Sequence, residues 1–220
     1  MVDPSAELRW VRPPRQARSQ ATLDRILDAA EALVAEKSFE DTTVAEVVRR
    51  AGSSVGAFYT RFRDKEGLLY ALYDRYLQEA TATTDAALDP RRWEGASVPE
   101  IVSAVVDFLV SVYRERRGLM RIFVARNHSD VDFQIRRDRL SLYVVTKLAG
   151  LLLARRPEIG HHDPEQATRF CLTLVFSTLD SCVLFGEMRS TDLELSDDEL
   201  ATELTRACLA YLAVTPSTHD

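Results

Sequence analysis

From Ser19 onward, apolar residues recur three and four positions apart: Leu23, Ile26, Leu27, Ala30, Leu33 and Val34 form one stripe. That spacing predicts an amphipathic helix ending near Lys37-Ser38, with Phe39 folding back onto it. Thr43-Val44-Ala45-Glu46 has the form of a capping box, in which the hydroxyl caps a free backbone N–H and the carboxylate caps another in return. The second helix runs from there to Ala51 and stops at Gly52, a residue that tolerates the left-handed conformation. A short third helix is expected over about 54–60. Asp64 then caps a fourth, which carries Leu68, Leu69, Leu72, Tyr73, Tyr76 and Leu77 on one side.

The helical pattern continues to the end of the chain. Ser97-Val98-Pro99-Glu100 is a second capping box, with proline in the first turn, where no N–H is needed. Ile101, Val105, Phe108, Leu109 and Val112 follow as the expected buried stripe, ending before Gly118. A short helix is expected near 119–124 and a long one over about 130–155, with Leu140, Tyr143, Val144, Leu148, Leu151 and Leu152 as its stripe. The last two are expected over about 164–188 and 197–214, the latter opened by Ser196 and Glu199. No strand, internal repeat or low-complexity tract is visible, so the expected fold is all-α.

Composition narrows the class. The 220 residues allow two modest domains, and a hydrophobic fraction of 46% with 28% charged residues fits a soluble globular chain. Three cysteines, Cys171, Cys182 and Cys208, make no disulfide framework and fit a reducing cytoplasm. The first residues lack the apolar run of a signal peptide. The longest apolar stretch, 172–185, is short for a bilayer and contains Asp180, so no membrane association is expected. The net charge of −6 by itself disfavours nucleic acid, but it is unevenly spread. Residues 1–65 carry 11 Lys+Arg against 10 Asp+Glu, and the remainder 17 against 24. Positive charge gathers at Arg9, Arg12, Arg15 and Arg18, on an expected flexible arm over residues 1–18, and again at Arg49, Arg50, Arg61, Arg63 and Lys65.

A second helix, a glycine turn and a short third helix make a helix-turn-helix, a corner that many helical bundles also contain. Here the residues say more than the spacing. The run from Thr43 to Leu69, including Ala51-Gly52, Val55-Gly56, Phe58-Tyr59, Phe62, Asp64-Lys65-Glu66 and Leu68-Leu69, closely resembles the DNA-binding signature of the TetR (tetracycline-repressor-like) family. The resemblance covers about the first third of the chain. Two positions depart from it: Arg61 stands where the family often has His or Tyr, and Ser38 where it usually has Gly.

The resemblance implies a DNA-binding domain over 19–65 and a helical ligand-binding and dimerisation domain over 66–220. It implies a regulator, in most cases a repressor released from an inverted-repeat operator by a small molecule, and not an enzyme. It also implies a homodimer formed through about 164–188 and 197–214, with Thr43, Tyr59 and Lys65 on the DNA backbone. Ser54, Val55, Ala57 and Thr60 are then expected at base edges, where Val55 and Ala57 suit thymine methyls. Gly56 lets the third helix approach closely. Arg61 either reads a base or holds a phosphate. Arg49, Arg50 and Arg63 are either phosphate contacts or solvated surface charge.

Candidate ligand-pocket residues are Phe108, Tyr113, Met120, Phe123, Tyr143 and Phe176, each of which could equally be ordinary core. Cys171 and Cys182 share a helix face and read as small buried hydrophobes before they read as a redox pair. Asp180 is either a ligand or interface partner or an exposed helix position. His161-His162-Asp163 with Glu158 echoes a di-iron helix motif, but Pro157 and Gly160 break the helix and no second set exists, so a loop is expected. No catalytic triad pattern, phosphate-binding glycine loop or cofactor signature is present, and neither a metal nor a cofactor is expected.

Overall fold

The computed structural model describes residues 17–185 and 195–214. Among them are nine α-helices and no strand: α1 Ala17–Glu36, α2 Val44–Arg50, α3 Val55–Tyr59, α4 Lys65–Ala87, α5 Val98–Glu115, α6 Arg117–Asn127, α7 Val131–Leu153, α8 Pro164–Phe185 and α9 Asp197–Tyr211. The chain divides into two compact units, Met1–Gln78 and Glu79–Asp220. The expected basic arm at Arg9, Arg12 and Arg15, the side chain of Arg18, and the expected continuation of α8 over 186–188 lie outside the described residues.

In the first unit the predicted stripe of α1 is buried, together with Phe39. Val47 and Val48 of α2 join it, and Phe58 and Phe62 lie wholly inside, their ring centroids 4.9 Å apart. Val44 is only half-buried, because it stands at the open first turn of α2. The unit also contains the first part of α4. Leu68, Leu69, Leu72 and Tyr73 are buried, and Arg75 reaches back to Asp28 and Glu31 of α1, each at 2.6 Å. The unit therefore extends beyond residue 65, where the helix-turn-helix signature alone placed its edge.

In the second unit α5 packs chiefly on α9, while α8 runs against α6 and α7. The capping box of α5 forms as its sequence requires, and Glu158 adds a cap by accepting the Val98 N–H at 2.8 Å. The buried face of α5 differs from the expected stripe. Val98, Ile101, Val102, Val106, Val110 and Tyr113 point inward, whereas Val105, Leu109 and Val112 are half-buried and Phe108 is 44% exposed. Glu100, Ser103, Asp107, Ser111 and Arg114 mark the polar side of α5; the opposite apolar arc is wide, and the neighbouring helices leave its Phe108 edge in solvent.

The loop after α7 is tied to the end of α9. Gly160 donates to Ala213 O at 3.1 Å and His161 to Leu212 O at 3.1 Å, around one isolated bridge between Ile159 and Val214. A Cβ at Gly160 would fall 2.8 Å from Ala213 O, so the close approach needs glycine. His161, expected in a loop, is in one, and its ring lies against His162 and Tyr211. Among the described residues no three His, Cys, Asp or Glu side chains converge as a metal site would require.

α8 is long and apolar enough to cross a membrane by length and composition alone. Its burial argues for core packing instead: Cys171, Leu172, Val175, Leu179 and Val183 face other helices, and Asp180 sits in an ion pair.

Candidate nucleic-acid interface

The turn between α2 and α3 is held by local bonds that leave one face of α3 uncovered. Thr43 caps α2: its hydroxyl accepts from the Glu46 N–H at 3.3 Å, and Glu46 accepts the Thr43 N–H at 2.9 Å. Lys37 adds an ion pair to Glu46 at 2.7 Å. These partners hold the Glu46 carboxyl well below its usual 4.5, at about 2, with the Lys37 hydrogen bond the largest cause and the Thr43 backbone and hydroxyl next. A capping carboxylate kept ionised at the N-terminus of α2 also suits the helix dipole.

α2 ends at Ala51, and Gly52 takes φ +56°, the left-handed turn that its sequence position predicts. The Ser53 N–H closes the corner on Val48 O at 2.8 Å. Ser54 then caps α3, accepting the Ala57 N–H at 3.1 Å. With that hydroxyl used as a cap, Ser54 is anchored as well as exposed.

Phe58 fixes the roll of α3. It is fully buried, so Ser54, Val55, Gly56, Tyr59 and Thr60 face solvent and Ala57 is half-exposed. Val55 is 48% and Tyr59 54% exposed. An exposed valine and an exposed tyrosine on one short helix are surplus to folding and suit a partner surface. The Tyr59 ring stands edge-on to Phe58 at 5.3 Å, which holds it in place from the core side. Thr60 donates to Gly56 O at 2.8 Å.

The cationic candidates differ in their freedom. Arg61 folds back on its own helix, donating to Ala57 O at 3.0 Å, and is half-buried. Lys65 donates to Glu40 O at 2.8 Å, with its ammonium 4.7 Å from the centre of the Phe39 ring. Arg50 pairs with Glu36 at 2.6 Å. Arg49 and Arg63 are exposed. The sequence thus brings Thr43, the α3 face and Lys65 into one unit, with Lys65 also acting as a strut that the signature alone does not reveal.

The six residues expected around a ligand separate in the second unit. Met120 and Phe123 are buried core, Phe176 is half-buried, Phe108 is exposed, and Tyr143 donates to Asp85. Tyr113 alone of the six borders a cavity of about 180 Å³ between α5, α6, α8 and α9. Its floor is apolar, from Val110, Leu179, Val183 and Leu200. Arg114, Arg117, Cys182 and Asp197 also line it, and sequence reasoning had not gathered them.

Beside the cavity, Asp180 is only 8% exposed, accepts from the Tyr113 hydroxyl at 2.7 Å, and pairs with Arg137. It is therefore an internal tie between α5, α7 and α8. Cys171 lies against Cys208 of α9, and both are buried. The contact with Cys208 and burial push the Cys171 thiol up. Cys182 is half-exposed at the cavity wall, its thiol pushed up by burial and held down in part by Arg117.

Comparisons with known proteins agree with this division. Residues 26–72 match the model described as bacterial regulatory proteins, tetR family, and residues 97–212 match the tetracyclin repressor-like C-terminal domain. The transcriptional repressor ComR of Escherichia coli (strain K12) is 35% identical over 65 residues, which cover 30% of this chain and 31% of ComR. The match thus spans about a third of that relative's length. Among solved structures, a Mesorhizobium loti protein assigned to the TetR-family regulators covers 90% of this chain and 98% of its own, with TM-score 0.71 and 20% identity. Bacillus subtilis FadR, crystallised with stearoyl-CoA, covers 86% of this chain and 96% of its own, with TM-score 0.59 and 20% identity. At these identities the two structures share the fold.

Proposed function

The chain belongs to the TetR family of bacterial transcription regulators, and from that premise we propose that it is a cytoplasmic repressor which binds an inverted-repeat operator as a homodimer and is released by a small molecule. The observation that carries the reading is the exposed face of α3. Val55, Tyr59, Thr60 and Ser54 stand outward while Phe58 locks the helix from behind. Val55 and Ala57 supply methyl groups for thymine, and Ser54 and Thr60 supply hydroxyls for base edges. Thr43 at the start of α2, Tyr59, and Lys65 at the start of α4 hold phosphates, and Gly56 allows the backbone close. Arg61 holds Ala57 O with one guanidinium nitrogen, and its approach to DNA competes with that bond.

Dimerisation through α8 and α9 is supported by apolar groups that those helices leave in solvent. Phe170 and Tyr211 are exposed with rings 4.7 Å apart, and Phe185 is exposed at the far end of α8. A seam over these residues sets the separation of the two α3 helices, which must be about 34–36 Å or a longer multiple to meet successive major grooves. The cavity in the C-terminal unit supports ligand control, as does the acyl-CoA found in a FadR of the same fold. A ligand that favours another separation shifts the population away from the operator-bound form.

The test is selection of bound sequences from random duplex DNA, with the wild-type chain beside a Tyr59→Ala, Lys65→Ala variant. Enrichment of one inverted repeat, lost in the variant, is the expected result. Equal, salt-sensitive and unselective binding by both proteins overturns the reading.

A further inference from the structure

We infer that the cavity between α5, α6, α8 and α9 is a binding site for a small amphipathic anion, an aliphatic or aromatic carboxylate whose charged end lies against Arg114 and Arg117. The inference rests on the reading that the C-terminal unit takes a small-molecule ligand, and it names the chemistry of that ligand.

The cavity has two unlike sides. Val110, Leu179, Val183 and Leu200 offer only hydrocarbon, a surface for an apolar body. Among the described residues the charged lining comprises Arg114, Arg117 and Asp197, two positive groups and one negative. Asp197 stands in the first turn of α9, where its charge is met by the partial positive charge of that helix end. The two arginines have weaker local company. Arg114 has a long pair with Glu115, 3.8 Å, exposed on both sides, an arrangement that binds little. Arg117 opens α6, where the helix dipole opposes a cation, and the first turn of α6 carries no acid and no side-chain cap. Burial pushes the Cys182 thiol up; the charge of Arg117 reaches it and lowers it, and that of Asp197 reaches it and raises it.

Asp180, next to the cavity, takes the Tyr113 hydroxyl and Arg137 and offers no spare oxygen pair to a cation, which leaves Asp197 as the one described carboxylate against the two arginines. The corner between α5 and α6 places the arginines: Arg116 ends one helix and begins the next, which brings Arg114 and Arg117 to the same rim. A carboxylate there can accept paired guanidinium N–H bonds, a geometry that neutral or cationic head groups cannot match. A volume of about 180 Å³ limits the guest to a small acid, below the usual range of about 300–1,000 Å³ for drug-sized ligands.

Cys182 supplies a readout independent of DNA, because it is half-exposed in the cavity wall while Cys171 and Cys208 are buried and act as internal controls. The probes are octanoate, octanamide and octylammonium, each below its aggregation concentration. N-ethylmaleimide labelling of Cys182 in the full chain is followed by peptide mass spectrometry. Octanoate is expected to slow labelling at least fivefold at millimolar concentration, while the amide or the amine at the same concentration is expected to slow it less than twofold. In the Arg114→Gln, Arg117→Gln variant the ratio of rates with and without octanoate is expected to approach one. Using the ratio within each protein removes the direct effect of Arg117 on the thiol. Equal protection by octylammonium or octanamide, undiminished octanoate protection in the double variant, or no octanoate protection at all overturns the inference. Protection without change in operator affinity supports the anion site and removes the ligand-release reading. Operator release by another compound, with no octanoate protection, does the reverse.

Discussion

Lys65 offers the sharpest separation between a structural and a DNA-binding role, since in the free protein it is already engaged. Its ammonium donates to Glu40 O at 2.8 Å and lies 4.7 Å from the centre of the Phe39 ring, pinning the α1–α2 turn to the start of α4. Lys65→Met keeps most of the hydrocarbon stem and removes both interactions. A bond from a charged donor and an exposed cation–π contact, on a half-exposed residue, together contribute about 1–2 kcal/mol. For a chain of this length that lowers the unfolding midpoint by about 2–8 °C. If the lysine also neutralises a phosphate in each half-site, the slope of log affinity against log salt flattens by about 0.9 per protomer, hence about 1.8 for a dimer. Fluorescence anisotropy with the selected operator across a salt series measures the slope, and calorimetry at fixed protein concentration measures the midpoint. A lower midpoint with an unchanged salt slope refutes the phosphate contact and leaves Lys65 as a strut alone.

Three further outcomes follow from the geometry. The Glu46 carboxyl is depressed from 4.5 to about 2, so the stability it gives is present above pH 4.5 and is lost as pH falls toward 2. Wild type and Glu46→Gln should therefore differ in denaturant midpoint at neutral pH and converge near pH 2; a gap independent of pH contradicts the ion pair as its source. Gly52→Ala places a side chain in open space at φ +56°, so its penalty is conformational, about 1–2 kcal/mol by urea denaturation. A neutral result there refutes the left-handed turn. Tyr113→Phe removes a buried bond to Asp180 and should cost about 1.5–3 kcal/mol, but clearly less in an Asp180→Asn background. Equal penalties in both backgrounds exclude the coupling.

Much of the first unit was legible because independent signals agree at each step. The α1 stripe, the Thr43–Glu46 box, Gly52 in a left-handed turn and the Asp64 bond to the Gly67 N–H at 2.8 Å all appear where the residue types demand them. Each is local, so the information lies within a few residues. α5 was misread because the deciding information is not local. Val102, Val105, Val106, Phe108, Leu109 and Val110 make a wide apolar arc opposite Glu100, Ser103, Asp107, Ser111 and Arg114, and periodicity alone cannot say which edge of that arc the neighbouring helices leave exposed. Asp180 was undecided for the same reason: its partner Arg137 lies 43 residues earlier and its partner Tyr113 lies 67 earlier. Arg114 and Arg117 gave no signal at all, because an arginine at a helix end reads as solvated charge until a cavity is found beside it.

The cavity and the proposed dimer seam share the same two helices. α8 contributes Leu179, Cys182 and Val183 to the cavity wall while exposing Phe170 and Phe185; α9 contributes Leu200 while exposing Tyr211. A guest that moves α8 or α9 therefore acts on the seam through a single helix, close by at Phe185 and at about 14–17 Å of helix rise for Phe170 and Tyr211. The energetic demand is still large. Moving a population from 99:1 to 1:99 needs about 5.5 kcal/mol of differential affinity between the two arrangements. Burying a chain of about seven carbons is worth at most about 5–6 kcal/mol at about 0.8 kcal/mol per methylene. Apolar contact meets the demand alone only if the cavity closes completely in the operator-bound arrangement. If the cavity persists there in part, the arginine contacts must differ as well, and the charge of the guest becomes the source of release rather than merely of recognition.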